Sequence, residues 1–246
     1  MFAPTSAPAP VPTASGGTLA RLRAATRAHH ERAEARNPVL DPALDLAGYR
    51  RALAALHAFH AAVERALAAV PGLDAVVPEL EARWKAPLLA RDLAALGVLP
   101  NATPDATLNA TPDAAPGAAP SVTWIDGLPA ALGTCYVLEG ATLGGQLVAR
   151  RLRETLGVAP EAGGAFYAAY GEAIGPRWRA FGRAVDAWGE RHPADVPRAL
   201  AAAGDTFDAL GDWLAAAGGA ALGGAPLGGA PSGGAPAGGT PAEGRA

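Results

Sequence analysis

Apolar residues recur at steps of three and four positions along most of the chain, which is the period of an amphipathic α-helix. One such series comprises Tyr49, Leu53, Leu56, His60, Val63 and Leu67. No segment alternates apolar and polar residues between turn signals, so no strand is predicted. The pattern predicts helices over six ranges, which are 18–36, 46–70, 78–96, 128–156, 166–188 and 194–217.

Local residues indicate where some of these helices begin or break. Thr18 follows two glycines and is the expected N-cap of the first helix. Pro78 is of the residue type favoured in a first helical turn, and Gly175 and Pro176 can interrupt the fifth helix.

Three segments have a composition that does not build a packed core, namely 1–17, 100–121 and 218–246. They contain much of the protein's 31 glycines and 23 prolines, with repeats such as NATPDA and GGAP. Such segments bury too little apolar surface to offset the entropy of ordering, so we expect them to be disordered. The remaining chain, 18–217, is long enough for a single all-α domain, a multi-helix bundle with 100–121 as a flexible loop.

The charge balance is nearly even, with 20 basic and 23 acidic residues among 246 and a net charge of -3. Neither nucleic-acid binding nor membrane-surface binding is favoured by this balance. No run of about 18 uncharged apolar residues predicts a membrane span, and the first residues do not resemble a secretory signal. Cys135 is the sole cysteine, which excludes an internal disulfide and a cysteine-based zinc site. We therefore expect a cytoplasmic protein.

Two adjacent histidines on the first helix are candidates for chemistry. Leu22, Thr26, His30 and Glu34 follow one another at four-residue steps, which places His30 on or near the buried stripe. His29 is seven residues after Leu22, so periodicity alone does not separate the two histidines. The alternative is that one is a core or boundary residue and the other is solvated.

Three glycines interrupt the helix predicted over 128–156. Glycine in a helix interior costs about 1 kcal/mol relative to alanine, so Gly140, Gly144 and Gly145 need a cause. Gly140 and Gly144 share one face, which allows either a second helix or a flat ligand to approach the bare backbone. Taken alone, helix packing is the commoner cause. A phosphate-binding loop is not favoured, because no strand precedes the glycines and no Lys-Ser/Thr follows them.

Together, the segments LRAATRAHHERAE (22–34) and YVLEGATLGGQ (136–146) resemble the haem oxygenase family, particularly its bacterial, bacteriophytochrome-associated branch. The resemblance covers roughly 18–217. It implies an all-α domain that holds haem b between a proximal first helix and a kinked distal helix. It also implies that haem is both substrate and cofactor and that O2 is consumed.

The resemblance assigns roles to particular residues. It makes His30 the axial ligand of the iron, His29 a bystander and Glu34 the carboxylate near the proximal histidine. Gly140 and Gly144 match the distal glycines that let the helix approach the haem closely.

The same resemblance implies that Tyr136, Arg23, Arg179 and Arg183 contact the haem propionates, since arginine donates paired hydrogen bonds to carboxylates. For each arginine the alternative is an ordinary solvated charge. Phe207 is a candidate pocket residue, with core packing as an equal alternative.

Ala141 departs from the family pattern. Some members carry an aspartate directly after the first distal glycine, where it organises the water needed for proton delivery, and the bacterial branch resembles EGS at this point. Water held by backbone carbonyls could replace the missing side chain. The resemblance therefore supports haem binding more directly than turnover.

The implied activity is oxidative opening of haem to biliverdin, CO and ferrous iron. The chain has no flavin or nucleotide fingerprint and no cysteine set for an iron–sulfur cluster. The resemblance therefore implies an external electron donor, such as a ferredoxin or a flavoprotein reductase, and a bacteriophytochrome as a candidate acceptor of the product.

Three other hypotheses compete with the haem oxygenase hypothesis. A haem carrier or sensor with the same fold is the first, because of Ala141, and a catalytically unrelated helical enzyme of thiaminase-like type is the second. A di-iron site at His57, His60 and Glu64 is not favoured, because such bundles use Glu-x-x-His pairs and none occurs here.

Overall fold

The computed structural model describes residues 16–98 and 120–219. Apart from their ends, the three segments predicted to be disordered lie outside the described residues. The described ranges contain helices and no strand, which confirms the all-α prediction. The α-helices are α1 Thr18–Ala35, α2 Leu46–Ala68, α3 Leu73–Val76, α4 Ala86–Ala95, α5 Leu128–Leu156, α6 Ala165–Ala168, α7 Ile174–Arg191 and α8 Val196–Gly219. Short turns of other helix types lie at Pro38–Leu40, Glu81–Arg83, Pro160–Gly164 and Gly171–Ala173.

The predicted boundaries of the long amphipathic helices were accurate. α5 spans the predicted range and continues through Gly140, Gly144 and Gly145 as one helix of 29 residues. Gly157 follows it with a φ of 68°, the left-handed conformation that commonly ends a helix. A bend at the glycines stays a prediction. α8 continues through Gly219, two residues beyond the predicted end of the last helix.

Thr18 does not cap the first helix, contrary to prediction. Gly17 is the N-cap residue, and it has no side chain with which to accept a hydrogen bond. The backbone N–H of Leu19 instead donates to Asp186 Oδ1 on α7 at 2.8 Å. A distant carboxylate thus satisfies a free donor at the start of α1.

The helix predicted over 78–96 is wrong in its first half. A short turn occupies Glu81–Arg83, and α4 begins only at Ala86. Glu79 has a φ of 53°, a left-handed conformation that a helix does not contain. The carboxylate of Glu64, on α2, accepts hydrogen bonds from the backbone N–H groups of Lys85 and Ala86 and so fixes the start of α4.

The segment predicted over 166–188 breaks before the expected point. Ala169 has a φ of 27° and Gly171 a φ of 55°, and α7 begins at Ile174. Gly175 and Pro176 therefore lie in the first turn of α7, where a proline has no hydrogen bond to lose.

The last helix, α8, supports α1 along its length. The His29 ring lies against Gly204, and Ala33 lies against Gly211. Because the contact points advance together on both helices, α1 and α8 run in the same direction.

α5 also runs in the direction of α8. Asp126, just before α5, accepts a hydrogen bond from Arg198 at 3.1 Å, and the hydroxyls of Thr134 and Thr206 are 3.1 Å apart further along. α1 and α5 are therefore roughly parallel neighbours on one supporting helix. α2, α4 and α6 share a second apolar core around Tyr49, Leu53 and Leu89, all fully buried.

Candidate functional site

The open side of α1 carries His30. Its side chain is 54% exposed, and its Nδ1 lies 3.4 Å from Glu34 Oε2. The ring meets Phe207 of α8 edge-on, with centroids 5.4 Å apart. Within the described ranges Nε2 makes no hydrogen bond. An imidazole whose Nδ1 faces a carboxylate presents the lone pair of Nε2 as a ligand.

His29, the preceding residue, is in a different environment. Its Nδ1 lies 2.9 Å from Asp208 Oδ2, and its ring lies against Gly204 of α8. Arg32 also donates to Asp208 at 2.9 Å. Partial burial tends to raise the pKa of Asp208, but the hydrogen bonds from His29 and Arg32 outweigh it and hold that pKa below its ordinary range. His29 therefore belongs to the contact between α1 and α8.

The glycines of α5 differ in what lies opposite them. A Cβ added at Gly145 would lie 2.7 Å from the carbonyl oxygen of Tyr167, so close helix packing accounts for this glycine. A Cβ added at Gly144 would meet nothing within 4 Å, and one at Gly140 would make ordinary contact, 3.8 Å, with the Trp178 ring. Helix packing therefore does not account for Gly140 and Gly144. Ala141, beside them, is exposed.

Leu147 extends the glycine face and was missed by the sequence analysis. It follows Gly140 by seven residues and so projects from the same side of α5. Its side chain is 71% exposed, the largest exposure among the large apolar residues of the described chain. The spacing was visible in the sequence, but the exposure was not.

Tyr136 joins three helices beside this face. Its hydroxyl lies 3.4 Å from Thr26 Oγ1 on α1, and its ring centroid is 5.9 Å from that of Trp178 on α7. One turn after the Thr26–Tyr136 contact stand His30 on α1 and Gly140 on α5. Since α1 and α5 are roughly parallel, these two residues lie on the same side of the contact.

Arg23, Arg179 and Arg183 are exposed, and none of these three makes an ion pair within the part of the chain that the structure describes. Arg183 follows Gly182, at which a Cβ would lie 2.7 Å from Leu19 of α1. Arg23 lies one turn after Leu19. The cations therefore border the contact between α1 and α7, where they can receive anionic groups.

Comparison with known proteins gives a family. Residues 17–216 match the family model described as Heme oxygenase. The chain belongs to the haem oxygenase family. Its fold is similar to that of the NO- and CO-bound heme oxygenase from Neisseria meningitidis, with a TM-score of 0.63 and 23% sequence identity. That match covers 82% of this chain and 92% of the other. No curated protein matches the chain.

The residues of this haem oxygenase family member fit the family's ligand. A haem site needs a ligand for the iron, for which a histidine nitrogen is one suitable donor, together with space on the opposite face and cations for two propionates. Among the described residues, nothing bonds to Nε2 of His30 and no atom lies within 4 Å of a Cβ added at Gly144. Arg179 and Arg183 are free to pair with carboxylates within the described ranges.

His60 and Glu64 of α2 have structural partners instead. His60 Nδ1 lies 3.1 Å from Glu64 Oε1, and both side chains are buried. Because Glu64 also caps α4, its carboxylate is already in use. No group of three or more metal-ligating side chains occurs in ranges 16–98 and 120–219. Within the same ranges no helix has the length and apolarity needed to cross a bilayer.

Proposed function

We propose that this member of the haem oxygenase family binds haem b between α1 and α5. With O2 and external electrons, it would then convert haem to biliverdin, CO and ferrous iron. One observation carries the proposal. The Thr26–Tyr136 contact joins α1 and α5, which are roughly parallel. One turn beyond this contact, α1 presents the unbonded Nε2 of His30 and α5 presents the bare face of Gly140 and Gly144.

In this proposal His30 binds the iron through Nε2. Glu34, 3.4 Å from Nδ1, holds the proton on that nitrogen and keeps the ring oriented. His29 has no such role, because Asp208 and Gly204 hold its ring within the α1–α8 contact.

Arg23, Arg179, Arg183 and Tyr136 are the proposed propionate contacts. The three arginines are exposed along the α1–α7 contact, and the Tyr136 hydroxyl lies beside it, 3.4 Å from Thr26 Oγ1. Arginine pairs suit carboxylates because each guanidinium donates two parallel hydrogen bonds. Their position would set the rotation of the bound ring in its plane.

Haem supplies both the iron at which O2 is activated and the ring that is opened. The chain itself contributes orientation and control of water. Thr142 Oγ1 donates to the carbonyl of Glu139 at 2.7 Å, and Ala141 has no polar side-chain atom. Protons would therefore reach the glycine face through water held by the backbone carbonyls.

Electrons in this proposal come from a ferredoxin or a flavoprotein reductase in the cytoplasm. The motif YVLEGATLGGQ (136–146) supports placement in the bacteriophytochrome-associated branch. Biliverdin would then serve a photoreceptor as chromophore.

A haem carrier or sensor is the second candidate function. The observation that favours it is the same pair of positions, Ala141 and Thr142, which offer no free hydroxyl or carboxyl beside the glycine face. Such a protein would bind haem through His30 without opening the ring.

A single titration separates the two functions. Hemin is added to the purified protein and followed by absorbance, and a reductant is then added in air with catalase present. We expect a histidine-ligated haem spectrum that gives way to the spectrum of biliverdin. A ligated spectrum that persists would favour the carrier or sensor, and no binding would refute both.

A further inference from the structure

A buried cluster of charges lies behind the glycine face of α5. It consists of Arg83, Lys85, Glu139 and Tyr170. Lys85 is the only lysine of the protein and is 1% exposed, while Glu139 is 3% exposed. Buried charges are costly unless they are paired and hydrogen-bonded, so this cluster needs a physical reason.

Glu139 is the centre of the cluster. Its carboxylate forms an ion pair with Arg83 and accepts a hydrogen bond from the Tyr170 hydroxyl at 2.8 Å. Lys85 Nζ donates to the Tyr170 hydroxyl at 2.6 Å and lies 3.5 Å from Glu139 Oε1. Burial lowers the pKa of Lys85, and the charge of Glu139 opposes that shift. The Glu139 carboxylate thus lies within 3.5 Å of both cations and of the phenol.

These contacts join three separate parts of the fold at one point of α5. Arg83 and Lys85 belong to the segment that leads into α4, and Tyr170 belongs to the junction between α6 and α7. Glu139 comes directly before Gly140. Its side chain points into the protein while the next residue begins the bare face, because successive helical residues are about 100° apart.

The bare face of α5 has no side chain that could fix its distance from a ligand. Gly140 and Gly144 have no side chains, so the position of the α5 backbone alone determines how closely a flat ligand can approach. Further along the helix, Gly145 is held against the carbonyl of Tyr167. At the other end of the face, Glu139 makes the equivalent attachment.

We propose that Glu139, with Arg83, Lys85 and Tyr170, acts as a positioning group that fixes the height of the Gly140–Gly144 backbone over the haem. The inference rests on the proposed function, since it concerns the seating of the same ligand. Replacement of buried ion pairs by apolar groups is often neutral for stability. A role in positioning therefore gives the cluster a reason that folding alone does not supply.

The test uses the full chain and three variants. Glu139→Gln removes the central charge, and Tyr170→Phe removes only the hydroxyl that links Lys85 to Glu139. Trp213→Phe is the control for loss of one partly buried hydrogen bond, because Trp213 Nε1 donates to the carbonyl of Ala55 at 2.8 Å and ties α8 to α2.

Three measurements are made on each variant: urea unfolding, the Kd for hemin, and circular dichroism in the Soret band, which reports how the bound haem is seated. Protein labelled with 15N-lysine gives one side-chain amine signal, from Lys85. That signal shows directly whether the cluster is intact in Tyr170→Phe, which preserves the size of the ring and is the variant best able to fold.

We expect Glu139→Gln to weaken hemin binding about tenfold, as loss of a group that supports a ligand site typically does. Tyr170→Phe should weaken it about threefold, the value of one hydrogen bond. Both should change the Soret dichroism, whereas Trp213→Phe should lose stability and keep both haem properties. The inference is overturned if the two cluster variants bind and seat hemin as the wild type does. It is also overturned if Trp213→Phe reproduces their effects at equal stability. Absence of hemin binding by the wild type would instead refute the proposed function.

Discussion

The glycines of α5 form two pairs with opposite surroundings. At Gly133 and Gly145, the backbone of another segment occupies the space where a Cβ would lie. At Gly140 a Cβ would make only an ordinary contact, and at Gly144 it would meet nothing. The first pair allows close packing and the second leaves a face open. A glycine in a helix thus becomes informative about function only when the atoms opposite it are known.

The two histidines of α1 repeat this contrast. His29 contacts Asp208 and Gly204, while His30 is exposed and its Nε2 makes no hydrogen bond within the described ranges. Each helix therefore has one side committed to packing and one side available to a ligand.

The largest expected effect is the loss of haem ligation when His30, the exposed histidine of α1, is replaced. His30→Ala should abolish the histidine-ligated absorption spectrum of the hemin complex, because no other nitrogen ligand stands on the open side of α1. His29→Ala, its neighbouring control, should leave that spectrum intact. Imidazole added to the His30→Ala protein should restore ligation. Equal loss in both variants would contradict the assignment of His30.

The contrast between glycines predicts opposite effects on stability. Gly133→Ala should destabilise the protein by about 3 kcal/mol, because the added methyl group would overlap the carbonyl of Ala199. Gly144→Ala should raise stability by up to about 1 kcal/mol, since alanine is the better helix former and nothing obstructs it. Urea unfolding measures both. A similar loss in the two variants would show that the face of Gly144 is not open.

A smaller effect, on hemin binding, is expected at Arg183, which borders the contact between α1 and α7. Arg183→Glu should weaken hemin binding about tenfold or alter the biliverdin isomer, because a propionate would lose a charged partner. Arg191→Glu is the control, since Arg191 lies near the end of α7 and its Nε donates to Ala187 of the same helix. Chromatography of the products and hemin titration test the pair. If neither variant differs from the wild type, Arg183 does not contact a propionate.

The smallest effect is on stability and concerns Asp208, in the contact between α1 and α8. Asp208→Asn should cost about 0.5 kcal/mol at pH 5, as expected for a partly exposed ion pair. The folded pKa of Asp208 is lowered from its ordinary 3.8, so its contribution is present above that value and is lost as the pH falls through the folded pKa. The stability difference between wild type and variant should therefore shrink from pH 5 to pH 3. A difference that grows on acidification would contradict this sign.

The all-α fold and the bounds of the long helices could be predicted from the sequence. α1, α2, α5 and α8 begin and end within two residues of the predicted positions, because each has a long and regular apolar stripe. α4 and α6 could not be predicted, because distant carboxylates determine where they start. Glu64 accepts from the first residues of α4, and Asp92 accepts from the first residues of α6.

The candidate site divides in the same way. The motifs around His30 and Gly140 pointed to the haem oxygenase family, which the family comparison confirms. Trp178, Leu147 and the cluster around Glu139 were not predicted. Their importance depends on contacts between residues far apart in the chain, as between Lys85 and Tyr170.

Taken alone, the sequence determined the helical class, the long helices and two local motifs, because periodicity and motifs are properties of neighbouring residues. Only the tertiary structure decided which of two adjacent histidines is open and which glycines face space. Those outcomes depend on which atoms of other helices lie opposite each residue. For His29 and Gly145 these are Asp208 of α8 and the carbonyl of Tyr167, and for Gly144 no atom lies within reach of a Cβ.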